Sequence, residues 1–415
     1  MISVRDAQAH ILDRITAAVP PEFLPLAATL GRVLADDVRA EMDVPPTDNS
    51  AVDGYAVASA DIPDTGTRAL EVVAELAAGS VFAGTLCQGQ ALRIMTGAPM
   101  PAGADTVYPQ EVVERRGSSV IIGSLPPGAN TRRRGEDVQS GVVVLPAGGV
   151  LRPQEIGVAA SLGLAQLLVR RKPRVAILST GDEVAEPGSV RKPGQIYDSN
   201  RFSLRGLVEG AGAWAVDDGI VPDQFDELHA RLLRAAEHAD VVLTSGGVSV
   251  GDYDLVKAVL QGMGGQGLGG QGMAGQQAGG IDFWQVAMQP GRPLAVGRIG
   301  RAHFFGLPGN PVASMLTFHL FVRPALWKLA GRREVFLQAF RATAVEPMRK
   351  KAGRREFKRG ILTYANDRWE VRTTGPQGSG ILSSMTAANC FVVIDEERGD
   401  VAAGEPVWVE PFQPL

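Results

Sequence analysis

The sequence predicts a multidomain protein that combines a doubly wound α/β domain with smaller, mostly β domains. Its 415 residues exceed what one hydrophobic core ordinarily supports, so roughly two to four domains are expected. Short β-branched runs separated by glycine and proline occupy residues 44–147, which is typical of a small β domain. Strand-like and helical segments alternate over residues 173–331, which indicates a parallel sheet covered on both faces.

Charge and cysteine content narrow the class of protein. Lys and Arg total 41 against 45 Asp and Glu, and the net charge of -4 gives no electrostatic reason to expect nucleic acid or an acidic membrane as partner. Cys87 and Cys390 are far apart, which indicates neither a disulfide framework nor a thiolate metal site. No signal peptide and no apolar run of about 20 residues is recognisable. We therefore expect a soluble, cytoplasmic protein without a nucleic-acid or membrane partner.

Local signals divide the chain. The helical spacing of Val4, Ala7 and Ile11 predicts an amphipathic helix at the start, and two prolines after Val44 mark a boundary. The predicted parts are an N-terminal helix packing with the central part (1–22), a linking domain (23–43 and 148–172), a mostly β domain (44–147), the α/β domain (173–331) and a C-terminal β domain (332–415).

Two segments of the α/β domain carry specific expectations. After the last strand, Asn310 is placed to cap a helix, Pro311 to occupy its first turn and Gly331 to end it. Residues 261–280 are half glycine and cannot bury a core, so we expect a disordered insertion there.

Four loops of the α/β domain combine glycine, hydroxyl and carboxylate residues. Each loop alone is more often a turn or a helix cap, but loops that follow parallel strands meet at one edge of the sheet, where such folds bind ligands. Glycine and hydroxyl donors beside carboxylates suit a phosphorylated ligand bound with magnesium, whereas the scattered histidines disfavour zinc. The loops are "STGDEV" with Asp182 and Glu183, "GQIYDSN" with Asp198 and Asn200, "TSGGVSVGDYD" with Gly246, Gly247, Ser249 and Asp254, and "GLPGNP" with Pro308 and Asn310.

The β domain carries a second set of polar residues. Asp53 lies in "TDNSAVDGYA", Thr96 in "RIMTGAPMPAGAD", and Arg132 and Asp137 in "NTRRRGEDV". A solvated charged turn is the usual interpretation of a run such as "RRRGED", but arginine also matches phosphate geometry. A site assembled between the β and α/β domains would explain both sets of residues.

These motifs, together with "PGRPLAVG" and "FGLPGNPVAS", occur in the order and spacing of a known family. From about residue 3 to residue 411 the chain resembles the molybdopterin molybdenumtransferases, which include bacterial MoeA and the corresponding part of gephyrin. The resemblance implies an elongated four-domain protomer, commonly a homodimer. It also implies a magnesium-dependent reaction that inserts molybdate into adenylylated molybdopterin and yields molybdenum cofactor and AMP. Contacts with the molybdopterin adenylyltransferase and with cofactor-accepting enzymes are implied as well.

The resemblance also implies roles for particular residues. The α/β domain is expected to bind the pterin and its phosphates, and the β domain of the other subunit to complete the site. The catalytic positions implied are Asp53, Thr96, Asp137, Glu183, Asp223 and Asp254, of which Glu183 and Asp254 are the expected magnesium ligands. The substrate-binding positions implied are Arg132, Gly246, Gly247, Ser249, Gln285, Gln289, Arg292, Pro308, Asn310, Arg359 and Ser379.

The chain departs from the family pattern in "FWQVAMQPGRP". Many relatives carry lysine where Gln285 and Gln289 stand, and glutamine keeps hydrogen bonding but not charge. We expect weaker anion affinity unless Arg292 or Arg298 compensates. Two alternatives follow. A related adenylyl-transferring enzyme resembles the α/β part alone, and the additional β domains argue against it. A non-catalytic cofactor-binding, carrier or scaffold protein remains compatible with the two glutamines.

Overall fold

A computed structural model describes residues 1–247 and 280–413, together with the single position Val259. The predicted glycine-rich insertion at 261–280 lies outside the described residues except for Gly280. None of the helices within the described ranges combines the length and apolar character that a bilayer-spanning segment needs.

The N-terminal helix spans Val4–Asp13. The hydroxyl of Ser3 caps it by accepting a hydrogen bond from the Asp6 N–H at 3.0 Å. Its buried residues Val4, Ala7 and Ile11 join the core of the α/β domain, where they pack beside the C-terminal helices of that domain.

Two distant stretches of chain form one small unit. Strand Pro21–Pro25 pairs antiparallel with Gln166–Arg170, which also pairs with Val33–Leu34. Helix Pro153–Ser161 covers this sheet, and a second pairing joins Val38–Arg39 to Val143–Leu145. Residues 44–142 are therefore inserted between two paired strands of this unit.

The β domain is built on one six-stranded sheet covered on both faces. Tyr55 and Val57 pack into one buried cluster and Ala56 into another, as expected when successive side chains alternate across a sheet. In spatial order the strands are Thr106–Pro109, Gly54–Val57, Gln90–Ile94, Arg68–Leu76, Ser119–Ile122 and Glu114–Arg116. Asn49–Ser50 and Thr131–Arg132 form a separate pair.

The α/β domain contains the predicted parallel sheet with helices on both faces. Buried clusters lie on the two sides, one with helices Asn200–Gly210 and Pro311–Thr317 and the other with helix Phe225–His238. Four strands are parallel, and two antiparallel strands extend one edge. Their spatial order is Trp214–Val221, Arg174–Thr180, Val241–Ser245, Ala302–Leu307, Pro293–Ile299 and Asp282–Gln285.

The helix predicted between Pro311 and Gly331 is interrupted. It is α-helical over Pro311–Thr317, continues as a π-helix over Phe318–Val322, and returns to α-helix over Arg323–Leu329. Pro324 lacks an N–H and its ring crowds the carbonyl four residues earlier, which accounts for the widened turn before it. Gly331 ends the helix as predicted, with a φ of 78°.

The C-terminal domain is a closed barrel. Its five strands pair in a ring, because Arg355–Ala365 pairs with Cys390–Ile394 as well as with Arg368–Thr373. The other strands of the ring are Phe340–Ala344 and Pro406–Pro411, and a short helix spans Ser383–Ala387. The strand Met288–Gln289 pairs with Arg355–Ala365 and so joins the α/β domain to the barrel.

We predict that Gly54→Ala destabilises the β domain. A Cβ at Gly54 would lie 1.9 Å from the carbonyl oxygen of Tyr108 on the neighbouring strand, so backbone would have to move. The expected loss is about 1–3 kcal/mol in the free energy of unfolding, measured by urea denaturation. The matched control is Gly157→Ala, where helix Pro153–Ser161 leaves open space and alanine should stabilise by about 0.5–1 kcal/mol. Equal stability of the two variants would contradict the clash.

Candidate functional site

Three of the four loops singled out in the α/β domain are joined by hydrogen bonds at the carboxyl edge of the sheet. The side-chain amide of Asn200 donates to Ser245 Oγ and to the Gly309 carbonyl, both at 2.7 Å. The Gly246 N–H donates to the Leu307 carbonyl at 3.1 Å. The loops that begin at residues 194, 244 and 306 are thereby fixed to one another.

Glycine is required where these loops approach each other. Gly246 has a φ of 98°, and a Cβ there would lie 3.0 Å from the Thr180 carbonyl oxygen. Gly247, at a φ of 66°, also adopts the left-handed region. Pro308 is buried within the third loop, and a Cβ on Gly309 would lie 3.7 Å from the Gly246 Cα. The backbone at this edge is therefore open to close approach by a ligand.

Several buried side-chain oxygen atoms at the same edge have no hydrogen-bond partner among the residues that the structure describes. A buried hydroxyl or amide oxygen without a partner costs roughly 1–3 kcal/mol, so such atoms favour a polar ligand. The sequence patterns did not single out these hydroxyls, although a serine or threonine ending an otherwise apolar strand is the signal that could have found them. The atoms are Ser179 Oγ, Thr180 Oγ1, Thr244 Oγ1, Ser314 Oγ and Asn200 Oδ1.

Three carboxylates lie beside this edge. Asp182 Oδ1 accepts a hydrogen bond from the Asp223 N–H at 3.2 Å. Glu183 folds back over Gly181, whose missing Cβ leaves the space that the carboxylate occupies. Burial, and then the neighbouring charges of Asp182 and Glu183, raise the pKa of Asp223. The group is therefore a concentration of negative charge that a cation would relieve.

The carboxylates do not form a complete metal site by themselves. Within the described ranges, no three histidine, cysteine, aspartate or glutamate side chains converge as metal ligands. Asp254, the predicted partner of Glu183, and Ser249 lie outside the described residues.

The start of helix Pro311–Thr317 meets a loop of the C-terminal barrel. Asn310 occupies the N-cap position but makes no side-chain capping bond. The Val312 N–H instead donates to the Ser379 carbonyl at 3.2 Å. The barrel loop 376–380 therefore lies directly against the strand-end loops.

Arg359 holds this barrel loop in place. Its guanidinium donates to the carbonyls of Gln377 and Gly378, both at 3.0 Å, and to Ser384 Oγ at 2.9 Å. The side chain is fully buried, and burial lowers its pKa. In this structure Arg359 positions the loop that carries Ser379, and the expectation that it binds substrate stays a prediction.

In the β domain, Asp53 and Thr96 form a close pair. Asp53 precedes strand Gly54–Val57 and Thr96 follows the antiparallel strand Gln90–Ile94, so the sheet brings them to the same end. Asp53 Oδ1 accepts hydrogen bonds from the Thr96 N–H and hydroxyl, both at 2.7 Å. The backbone N–H, then the hydroxyl, lower the pKa of Asp53 and keep this exposed carboxylate ionised.

The arginine run has one member without an acidic partner. Arg133 forms an ion pair with Asp48, and Arg134 with Asp43, whereas Arg132 is exposed and makes no side-chain bond within the described part of the chain. Asp137 is also exposed, and only its N–H is engaged. Arg132 is thus the arginine of this run that is free to meet an anion.

The two sets of residues are separate within one chain. Among the described residues, no hydrogen bond or ion pair joins residues 44–147 to residues 173–413.

Comparison with known proteins assigns the family. Family models match residues 2–163 as the MoeA N-terminal region (domain I and II), residues 176–328 as a probable molybdopterin binding domain, and residues 341–412 as the MoeA C-terminal region (domain IV). The chain is 39% identical to the molybdopterin molybdenumtransferase of Haemophilus influenzae, over all of both chains. The chain belongs to the molybdopterin molybdenumtransferase family.

Other members agree in sequence and in structure. Molybdopterin molybdenumtransferase 2 of Mycobacterium tuberculosis is 37% identical over 98% of this chain and 99% of its own length. The crystal structure of the molybdopterin biosynthesis MoeA protein from Pyrococcus horikoshii OT3 superposes with a TM-score of 0.84, at 32% identity, and covers 99% of this chain and 100% of its own. The resemblance and the multidomain α/β plus β fold predicted from sequence are confirmed.

The glutamines that depart from the family pattern are both exposed. Arg292 lies beside the first, with its guanidinium 3.4 Å from Gln285 Oε1. Arg298 lies toward the other end of strand Pro293–Ile299 and donates to the Arg301 carbonyl at 2.8 Å. Of the two arginines expected to compensate for missing charge, only Arg292 is in position to do so.

We predict that Arg359→Lys loosens the barrel loop without unfolding the barrel. Lysine keeps the charge but cannot reach all the carbonyls that the planar guanidinium binds. Amide hydrogen exchange of residues 377–380 and of Val312 should become roughly tenfold faster or more. The control is Arg372→Lys, an exposed position on the same barrel, which should leave these rates unchanged. Unchanged exchange in Arg359→Lys would contradict the positioning role.

We predict that Asp223→Asn stabilises the protein near neutral pH. Because the folded-state pKa of Asp223 is raised, its ionisation opposes folding once the pH passes the ordinary value of about 3.9. The gain in melting temperature should be largest at pH 7.5 and should shrink as the pH falls toward about 4. Asp64→Asn is the control, because Asp64 is exposed and has no side-chain partner among the described residues. A gain that is independent of pH would contradict this assignment.

Proposed function

We propose that this protein inserts molybdate into adenylylated molybdopterin and produces molybdenum cofactor and AMP in the cytoplasm. The observation that carries the proposal is the carboxyl edge of the α/β sheet, where fixed glycine loops, partnerless buried hydroxyls and adjacent carboxylates lie together. This arrangement suits a pterin that carries phosphates. Membership of the family supports the reaction.

The α/β edge binds the phosphates in this proposal. The N–H groups of Gly246 and Gly247 and the start of helix Pro311–Thr317 supply donors and a favourable dipole. Pro308 and Asn310 shape the third loop, and Ser249 would add a hydroxyl. In this proposal the protein accelerates the reaction by holding the bound reactants in the orientation that the reaction needs.

Magnesium fits the carboxylates beside this edge. Glu183, with Asp182 and Asp223, offers hard oxygen ligands, and Asp254 is the further ligand proposed from sequence. Phosphate oxygens and water would complete the coordination, which agrees with the incomplete site that the described side chains form. When bound, the ion would polarise the phosphoanhydride that is cleaved.

Molybdate is proposed to enter between the α/β domain and the barrel. Arg292 supplies positive charge there, while Gln285, Gln289 and the loop of Ser379 supply hydrogen bonds. Arg359 keeps the loop in register. Among Gln285, Gln289 and Arg292, only Arg292 carries a charge. Molybdate affinity should therefore be lower than it would be with lysine at the two glutamine positions.

The second half of the site is proposed to come from the partner of a homodimer. Asp53, Thr96, Arg132 and Asp137 belong to a domain that has no hydrogen bond or ion pair with the α/β edge of its own chain, within the described residues. Arg132 would contact phosphate, and the Asp53 carboxylate would help to orient the substrate. The molybdopterin adenylyltransferase and cofactor-accepting enzymes are the proposed protein partners.

The decisive experiment measures AMP release and active cofactor together. The purified protein is incubated with adenylylated molybdopterin, magnesium and micromolar molybdate. We predict that Asp53→Ala and Glu183→Gln each lower turnover by about 100-fold, since both residues position reactants. The control Asp64→Ala lies in the same domain and should retain full activity.

Mixing the two inactive variants tests the dimer. If each site takes Asp53 from one subunit and Glu183 from the other, a mixed dimer contains one intact site and should recover part of the activity. No recovery despite subunit exchange would contradict the shared site. Tight substrate binding without AMP release in the unmodified protein would instead establish a carrier role.

A further inference from the structure

A depression on the C-terminal barrel collects positive charge. It encloses about 580 Å³ and lies beside Gln289, where strand Met288–Gln289 meets strand Arg355–Ala365. Four cationic side chains line it, namely Arg349, Lys350, Lys351 and Arg354. Neither the sequence motifs nor the family assignment called attention to this cluster.

The acidic residues of the depression are already engaged. Glu356 accepts a hydrogen bond from Lys358 Nζ at 2.6 Å, and Asp400 accepts one from the Lys350 backbone N–H at 2.7 Å. Within the described part of the chain, the side chains of Arg349, Lys351 and Arg354 have no ion-pair or hydrogen-bond partner. Three cations are therefore held close together with their charges unmatched.

The loop that carries these cations is rigidly held. Lys350 is buried, and its Nζ donates to the Arg398 carbonyl at 2.6 Å and the Glu396 carbonyl at 3.3 Å. The Gly353 N–H donates to the Glu396 carbonyl at 2.8 Å. Because folding already assembles the like charges, an anion that binds them loses little further entropy on their account.

We propose that this depression is a docking site for a tetrahedral oxyanion, with molybdate awaiting transfer as its occupant. Arg349, Lys351 and Arg354 provide the charge, and the exposed amide of Gln289 provides a neutral donor. Gln289 lines the depression and is also one of the residues that the proposed function assigns to the entry of molybdate, so the two share a side chain. The identity of the anion as molybdate rests on the proposed function, whereas the anion site itself rests only on the side chains that line the depression.

Molybdate binding to the full-length protein, without pterin, tests the site. Equilibrium dialysis with labelled molybdate should give about tenfold weaker binding for Lys351→Ala and for Arg354→Ala, because each loses one charge-assisted contact. Arg372→Ala removes an exposed cation of the same barrel outside the depression and should bind as the parent does. Gln289→Lys adds a charge and should tighten binding. Unfolding curves of the variants should overlay that of the parent.

Competition separates the two sources of oxyanion. Sulfate that displaces molybdate better than inorganic phosphate supports free molybdate as occupant, and the reverse order supports a phosphate group of the substrate at the same site. Unchanged molybdate affinity in both Lys351→Ala and Arg354→Ala, or no binding by the parent at millimolar molybdate, overturns the proposal. At saturating molybdate both variants should still release AMP, whereas failure of the proposed function would abolish AMP release in the parent and leave molybdate binding intact.

Discussion

The side-chain amide of Asn200 fixes the edge on which the proposed chemistry depends. It connects the loop after strand Val241–Ser245 to the loop after the parallel strand Ala302–Leu307. Asn200 is itself fixed because it begins a helix whose Leu204 and Val208 are fully buried. Core packing of that helix thus holds the ligand edge in place through the Asn200 side chain. Its amide oxygen has no partner within the described part of the chain.

The barrel loop depends on a comparable arrangement. Arg359 is buried on a barrel strand. Its guanidinium donates hydrogen bonds to the carbonyls of the loop that reaches the start of helix Pro311–Thr317. A loop rich in glycine would lose considerable conformational entropy on ordering, and the guanidinium offsets this with several charge-assisted bonds. One internal cation of the C-terminal domain thus holds the loop that reaches the α/β domain.

Sequence reasoning succeeded where the signal was local. The strand-end loops were predicted because apolar strands ending in glycine and hydroxyl residues must meet at one edge of a parallel sheet. It made no prediction where distant pairing decides the result. Closure of the barrel depends on the pairing of Arg355–Ala365 with Cys390–Ile394, which the hydrophobic periodicity of the sequence does not predict. The same closure buries Arg359, so a motif that identifies the residue does not reveal whether it faces the ligand or the interior.

The arginines illustrate why net charge predicts binding poorly in this chain. Arg201 is buried among Asp198, Asp217 and Glu186, and Arg359 among carbonyls, so the guanidinium groups of both already have partners inside the protein. Arg132 and Arg354 have no acidic partner within the described residues. A protein with a net charge of -4 can therefore still present localised positive sites to an anionic substrate. What identifies those sites is the absence of an internal partner for each cation, which only the folded arrangement reveals.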